Sequence, residues 1–192
     1  FAKAGMSREA AVTVERGAAR AISSGAPSEA ERALRSVIVD EGTNEARRLQ
    51  LLLAQALEAQ GRHREVLDTL GRIADSPNHR LDSAIAAILR AKALRLGRLA
   101  GDRVIAEAAK RAVATARLAQ DDLASVEALQ VHAEVAADLG DQATLRWAAK
   151  HSRKIGLATS QPKTRALAEL TRAYSLMVAG ELSEARTSFQ AS

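Results

Sequence analysis

The sequence predicts an all-α protein, a solenoid of about five antiparallel helix pairs, and three observations carry that prediction. The first is composition: of 192 residues, 47% are hydrophobic but only 2% are aromatic. Alanine supplies more than a fifth of the chain and, with leucine, carries that hydrophobicity. Such a mixture favours helix almost everywhere and leaves few large β-formers for a sheet. The second is a ladder of glycines. Gly25, Gly61, Gly97, Gly140 and Gly180 each close an Ala/Leu-rich stretch, at intervals of 36, 36, 43 and 40 residues. A residue free to take positive φ is the expected end of a helix. The third is that Pro27, Pro77 and Pro162, the only prolines, all fall between the helices this ladder implies.

Taken in order, helices are expected over 7–24 and 28–40, 44–60 and 63–75, 80–97 and 102–119, 122–139 and 142–156, and 163–179 and 182–191. They make pairs at 7–40, 44–75, 80–119, 122–156 and 163–191 of one solenoid domain, 1–192. Residues 1–5 precede Met6-Ser7 and read as an appended leader or the cut edge of a longer protein. In the first pair, Ser28 with Glu31 forms an expected capping box. The first, second and fifth pairs share a phrase after the glycine: three residues, a glutamate, a small apolar residue, three more, then a large apolar one. It reads Glu29-Ala30 with Leu34, Glu65-Val66 with Leu70, and Glu184-Ala185 with Phe189. The glycine turns the chain, the acid sits in the next helix's first turn, and the small residue lets two helices approach. The third pair is the least regular, because Leu96-Gly97-Arg98-Leu99-Ala100-Gly101 offers two turns. Asp121-Asp122 reads as an exposed helix start of the fourth pair, and the fifth stops early at Ser192, short or continuing further. Seven residues before each glycine stand Ala18, Ala54, Arg90, Ala133 and Ala173; four before stand Ala21, Leu57, Ala93, Ala136 and Leu176.

This small–Gly–Glu-Ala–large pattern resembles the tetratricopeptide repeat (TPR) superfamily, whose units run about 34 residues. Here Leu or Ala mostly replaces the family's aromatics and the period is longer, so the chain resembles a divergent bacterial branch. Similar longer repeats occur in the helical-repeat domains of large bacterial transcription activators of the maltose-activator type. The resemblance implies a right-handed solenoid whose first helices line a concave face. It also implies ligand-facing positions 13, 10, 6, 3 and 2 residues before each turn glycine. In the first two units these are Val12, Glu15, Ala19, Ile22 and Ser23, then Arg48, Leu51, Gln55, Glu58 and Ala59. The third gives Ala84, Ala87, Ala91, Leu94 and Arg95. The fourth gives an acidic strip, Glu127, Gln130, Glu134, Ala137 and Asp138; the fifth an apolar one, Leu167, Leu170, Tyr174, Met177 and Val178. The apolar strip has two readings: a face covered by another helix or a second copy, or the anchor of a peptide groove. The acidic strip is either a solvated face or a binder of basic partner residues.

Charge excludes little and supports no dedicated nucleic-acid arm. The net charge is +5, but residues 1–96 hold 15 basic and 12 acidic side chains and 97–192 hold 13 and 11. No cysteine is present, so disulfides, thiolate metal sites and cysteine nucleophiles are excluded. No apolar run is long enough for a membrane and no signal peptide is evident, so a cytoplasmic protein is expected. His63, His79, His132 and His151 lie in different repeats without metal-ligand spacing, with His132 expected in the core and Trp147 as a packing residue. Gly97 to Gly101 lacks the strand and the Lys-Ser/Thr pair of a phosphate loop. No enzyme and no cofactor are expected.

One segment supports a rival reading. Arg146, Lys150, Arg153, Lys154, Lys163, Arg165 and Arg172 are accompanied by a single acid, Glu169. Within it, 155–170 faintly resembles a helix-turn-helix that would offer Gln161, Lys163, Thr164 and Arg165 to DNA. The favoured expectation is the plain loop between the fourth and fifth pairs, with the basic residues free to meet phosphate or an acidic partner. The sequence therefore points to a non-catalytic module that binds a protein or peptide in its concave groove, within a bacterial regulator or assembly factor. A second copy packed on the C-terminal apolar face is the other partner considered. A DNA-associated regulator domain and an effector-sensing domain are the alternatives.

Overall fold

The computed structural model describes residues 2–37, 43–73 and 79–191, with side chains from 9 to 188 within those spans. Among them are ten helices and no strand: α1 (Ala2–Ser23), α2 (Pro27–Arg35), α3 (Asn44–Ala59), α4 (His63–Gly71), α5 (Arg80–Leu96), α6 (Asp102–Ala119), α7 (Asp122–Asp138), α8 (Gln142–Ala158), α9 (Pro162–Val178) and α10 (Leu182–Ala191). Both α2 and α4 end earlier than the sequence suggests. Beyond Arg35, the Ser36 hydroxyl donates back to the Ala33 carbonyl and competes with the helical ladder. Residues 38–40, 74 and 75, Pro77 and the Phe189 side chain lie outside the described residues.

The odd-numbered helices all end in one turn geometry. Gly25, Gly61, Gly140 and Gly180 sit at φ +80°, +72°, +71° and +83°. The next residue's N–H donates five residues back: Ala26 to Ala21, Arg62 to Leu57, Asp141 to Ala136 and Glu181 to Leu176, at 2.8–3.0 Å. This is the Schellman closure that glycine favours. In the third turn Leu99 donates to Leu94 at 3.1 Å, and the left-handed position is held by Arg98 at φ +47°. Gly97, expected as the turn residue, stays right-handed at φ −79°. The frame of the third repeat therefore shifts by one. Counted from the left-handed residue, Ala18, Ala54, Ala91, Ala133 and Ala173 share one position and each is 0% exposed. Arg90, the apparent exception, was out of frame and is exposed.

These alanines explain the architecture. A methyl group at the tightest point of each odd helix lets backbones approach, so α1, α3, α5, α7 and α9 pack side by side as a continuous inner layer. Each even helix packs on its own partner and on the next odd helix: α2 on α3, α4 on α5, α6 on α7 and α8 on α9. Among the described residues no two even helices bring their backbones together, so the outer layer is a comb whose gaps are crossed only by side chains, such as Arg35 to Glu65 at 3.5 Å and Arg117 over Trp147. The deepest helix is α7, which buries Val126, Leu129, Val131 and Val135 on several sides. Close approach recurs at Gly156 of α8, where an added Cβ would lie 2.8 Å from the Ala168 Cβ of α9.

The expected capping box is not formed. Ala26 is the N-cap of α2 and makes no side-chain cap, and Ser28 lies inside the helix. Its hydroxyl instead donates to Gln60 Oε1 at 3.3 Å. Glu31 meets Arg62 at 2.6 Å, Arg35 at 2.9 Å and Gln60 Nε2 at 3.0 Å, and Arg62 continues to Glu65 at 2.6 Å. Burial raises the Glu31 pKa, but the bonds from Gln60, Arg62 and Arg35 outweigh it and hold the carboxyl below its ordinary value.

Candidate partner-binding surfaces

The inner layer presents the face on which ligand-facing positions were expected. In its first half, Ile22 of α1, Gln55 and Glu58 of α3, Ile85 and Lys92 of α5 and Glu127 of α7 line a shallow hollow of about 190 Å³. The one-residue shift at Arg98 corrects the third strip. Ile85, Ile88, Lys92, Arg95 and Leu96 take the places expected for Ala84, Ala87, Ala91, Leu94 and Arg95, with Ile88 turned into the core and the other four reaching the surface. Ala84 and Ala91 are wholly buried and cannot meet a ligand.

The acidic strip is not free. Arg95 Nη1 lies 2.7 Å from Glu134 Oε2 and its Nε 2.7 Å from Asp138 Oδ2, and Gln130 donates to Glu134 at 3.1 Å. Burial opposes the Arg95 charge, yet Asp138 and Glu134 more than restore it and its pKa is raised. Glu127 stands apart, at the rim of the hollow. In the apolar strip Leu170 and Met177 are 41% and 44% exposed, while Leu167, Tyr174 and Val178 are half-buried. Tyr174 and Val178 pack on the core shared by α5 to α8. Burial raises the Tyr174 pKa, Arg95 pulls it down and Glu134 and Asp138 raise it further, so this ring ties the apolar strip to the acidic one.

Most of the basic residues lie on the outer helix α8. Arg146, Lys150, Arg153 and Lys154 are exposed on α8, and Lys163 and Arg165 at the start of α9. Arg146 lies 3.6 Å from Glu181, and Arg165 donates to the Thr159 carbonyl at 3.2 Å. Arg172 is engaged by Glu169 at 3.5 Å and Ser188 at 2.8 Å. The stretch that resembled a helix-turn-helix is the α8–α9 junction, with Thr164 wholly buried and bonded to Gln161. Thr164 is therefore closed to a nucleic acid.

Between α6 and α8, over the floor of α7, lies an outer slot of about 270 Å³ that includes Val113, Leu129 and Ile155, with Arg117, Asp122, His151 and Lys154 around it. Beside it Trp147 packs between Arg117, 5.2 Å from the ring centroid, and His151, 4.2 Å away, with His132 edge-on at 5.7 Å. The His132 Nδ1 is buried without a partner; burial and then Lys110 lower its pKa, against Asp141. A wider hollow of about 590 Å³ lies between α4, α5 and α6, and includes Ile73, Arg80, Arg90 and Leu118. Among the described residues no cluster of His, Asp and Glu could hold a metal ion, and no helix is long and apolar enough to cross a membrane. Sequence reasoning missed Gly156 and the Arg95 bridge, because each depends on a neighbour in another repeat, and Arg98, because a glycine stands beside it.

No family model matches the chain, and no curated protein matches its sequence. Among solved structures, it is similar to nearly identical TPR-like repeats assigned to a kinesin light chain of Podosopora anserina, with a TM-score of 0.63 and 15% identity over 93% of this chain and 90% of that one. A variant of the same protein gives 0.64 over the same coverage. The fold is that of a TPR-like repeat solenoid.

Proposed function

We propose that this chain is a non-catalytic protein-interaction module that takes a peptide or helix along its inner face. The observation that carries this reading is the contrast between the layers. The inner helices form one continuous surface, and at its C-terminal end Leu170 and Met177 stand exposed beside the Arg95–Glu134–Asp138 group. Exposed apolar side chains flanked by fixed charge suit an amphipathic ligand, the apolar residues for affinity and the charges for register. Leu167, Leu170, Tyr174, Met177 and Val178 would form the anchor, with Glu127, Glu134 and Asp138 selecting charge. A place in a bacterial regulator or assembly factor, in the cytoplasm, rests on the sequence resemblance and composition alone.

The test is a nuclease-treated pull-down from host lysate, comparing the native chain with a Leu170→Glu, Tyr174→Ala variant. Proteins retained by the native chain and lost with the variant support the inner face. The same proteins on both forms overturn that assignment, and a native dimer that the variant dissolves would make the strip a contact between copies.

A further inference from the structure

We propose that the outer face of α8 and the slot beside it form a second docking surface, for an acidic peptide segment that seats one leucine-sized side chain between α6 and α8. This surface lies on the opposite layer from the inner face and does not depend on it. The gap follows from the architecture: α6 and α8 both pack on α7 but their backbones stand apart, bridged beside the slot by Arg117 over the Trp147 ring. What remains between them is apolar at the floor, with Val113, Leu129 and Ile155. At about 270 Å³ it falls below the roughly 300–1,000 Å³ of sites that enclose free small molecules, and suits a single side chain.

The surroundings state the partner's charge. Arg117 and Lys154 border the slot with one acid, Asp122. Arg146, Lys150, Arg153 and Leu157 continue along α8 at helical spacing, and Leu157 is 74% exposed. Lys150, Arg153 and Lys154 have no ion-pair partner among the described residues. From Arg146 to Leu157 the stripe spans about 16 Å of helix axis, the reach of about five extended residues. A short acidic segment carrying one apolar residue thus matches the stripe in length, charge and anchor. Nucleic acid fits less well. Trp147 already has Arg117 over its ring and His151 against it, so this ring is engaged rather than offered for base stacking, and Thr164 is buried.

The test is fluorescence anisotropy with a labelled synthetic peptide in which one leucine is flanked by glutamates. Saturable binding is expected, weakened at least about tenfold by combined Lys150→Glu, Arg153→Glu and Lys154→Glu. Ala158→Trp, at the slot's edge, should weaken this peptide but not the same peptide with serine for leucine. The Leu170→Glu, Tyr174→Ala variant should bind the peptide as the native chain does, which separates this surface from the inner one. Circular dichroism melts check that each variant folds, and Lys150→Gln with Arg153→Gln replaces the reversal if that variant does not. Three results would overturn the proposal: no saturable binding, binding unchanged by the α8 variants, or loss through the inner-face variant instead. A single-stranded oligonucleotide of equal charge that binds more tightly and is lost with the α8 variants would assign the stripe to nucleic acid.

Discussion

At Arg98 and Gly97 the demands of backbone and side chain fall on adjacent residues. Arg98 holds a left-handed φ that costs an L-residue roughly 1–2 kcal/mol, while Gly97 is right-handed and needs no special freedom. Gly97 is required for a different reason: a Cβ there would stand 2.9 Å from the Ala93 carbonyl oxygen, the His63 Cβ and the Leu99 Cγ. Arg98→Gly should therefore stabilise the fold by about 0.5–1 kcal/mol, part of the relief being lost to the greater freedom of the unfolded chain. Gly97→Ala should destabilise it by about 2 kcal/mol through overpacking. Urea melts of the two variants decide this, and equal effects of one sign would refute it. His132 supplies the pH dependence. Its folded pKa lies below the ordinary 6.5, so the unfolded chain takes up the proton more readily. The stability present above pH 6.5 is lost as pH falls through and below that value. Asp141, Lys110 and Arg117 supply charge around the ring site, where the His151 ring also packs on Trp147. His132→Leu should flatten the pH profile of the melting temperature below pH 6.5; a profile identical to the native one would exclude His132 as its source.

At the scale of elements, close contact governs what substitutions cost. Gly156 lies in the interior of α8, where glycine weakens a helix by roughly 0.5–1 kcal/mol, and the Ala168 methyl of α9 occupies the space its side chain would take. Gly156→Val should destabilise by about 2–3 kcal/mol, read from thermal melts, because the two helices must separate. The companion change Ala168→Gly should recover part of that loss, which a purely local helix effect would not allow. The helices themselves were legible in the sequence, because glycine marks four of the five odd-helix turns and alanine the tight contacts. The third frame was not. Its turn residue is an arginine, and its helix α6 starts four residues after that residue where the others start two after theirs, so the glycine beside it misled by one position. The corrected strip, Ile85, Ile88, Lys92, Arg95 and Leu96, follows once the left-handed residue is known. The outer slot was beyond sequence reading, since it exists only because α6 and α8 share α7 while their backbones stand apart.

Across the whole molecule, Arg95 joins repeats that are distant in sequence and sets the charge of the inner face. It belongs to the third pair, yet both its carboxylate partners lie on α7 of the fourth, and its charge is felt by Tyr174 of the fifth. In a solenoid each repeat contacts only its neighbours, so such a residue couples three units where packing alone couples two. While Arg95 is present, it engages both Glu134 and Asp138 and balances one of their two charges, and Glu127 is the acid on that strip outside this group. Arg95→Gln would release both carboxylates to solvent without creating a large cavity. The expected cost in stability is about 1 kcal/mol or less, because the pair with Asp138 is half in solvent and screened. A labelled lysine-rich amphipathic peptide should then bind the inner face more tightly than it binds the native chain, by about tenfold at low salt and less as salt rises. Loss of that gain on adding Glu134→Gln and Asp138→Asn would trace it to the released carboxylates. Unchanged affinity in Arg95→Gln would mean that the acidic strip takes no part in recognition, leaving Leu170 and Met177 to hold any ligand by apolar contact alone.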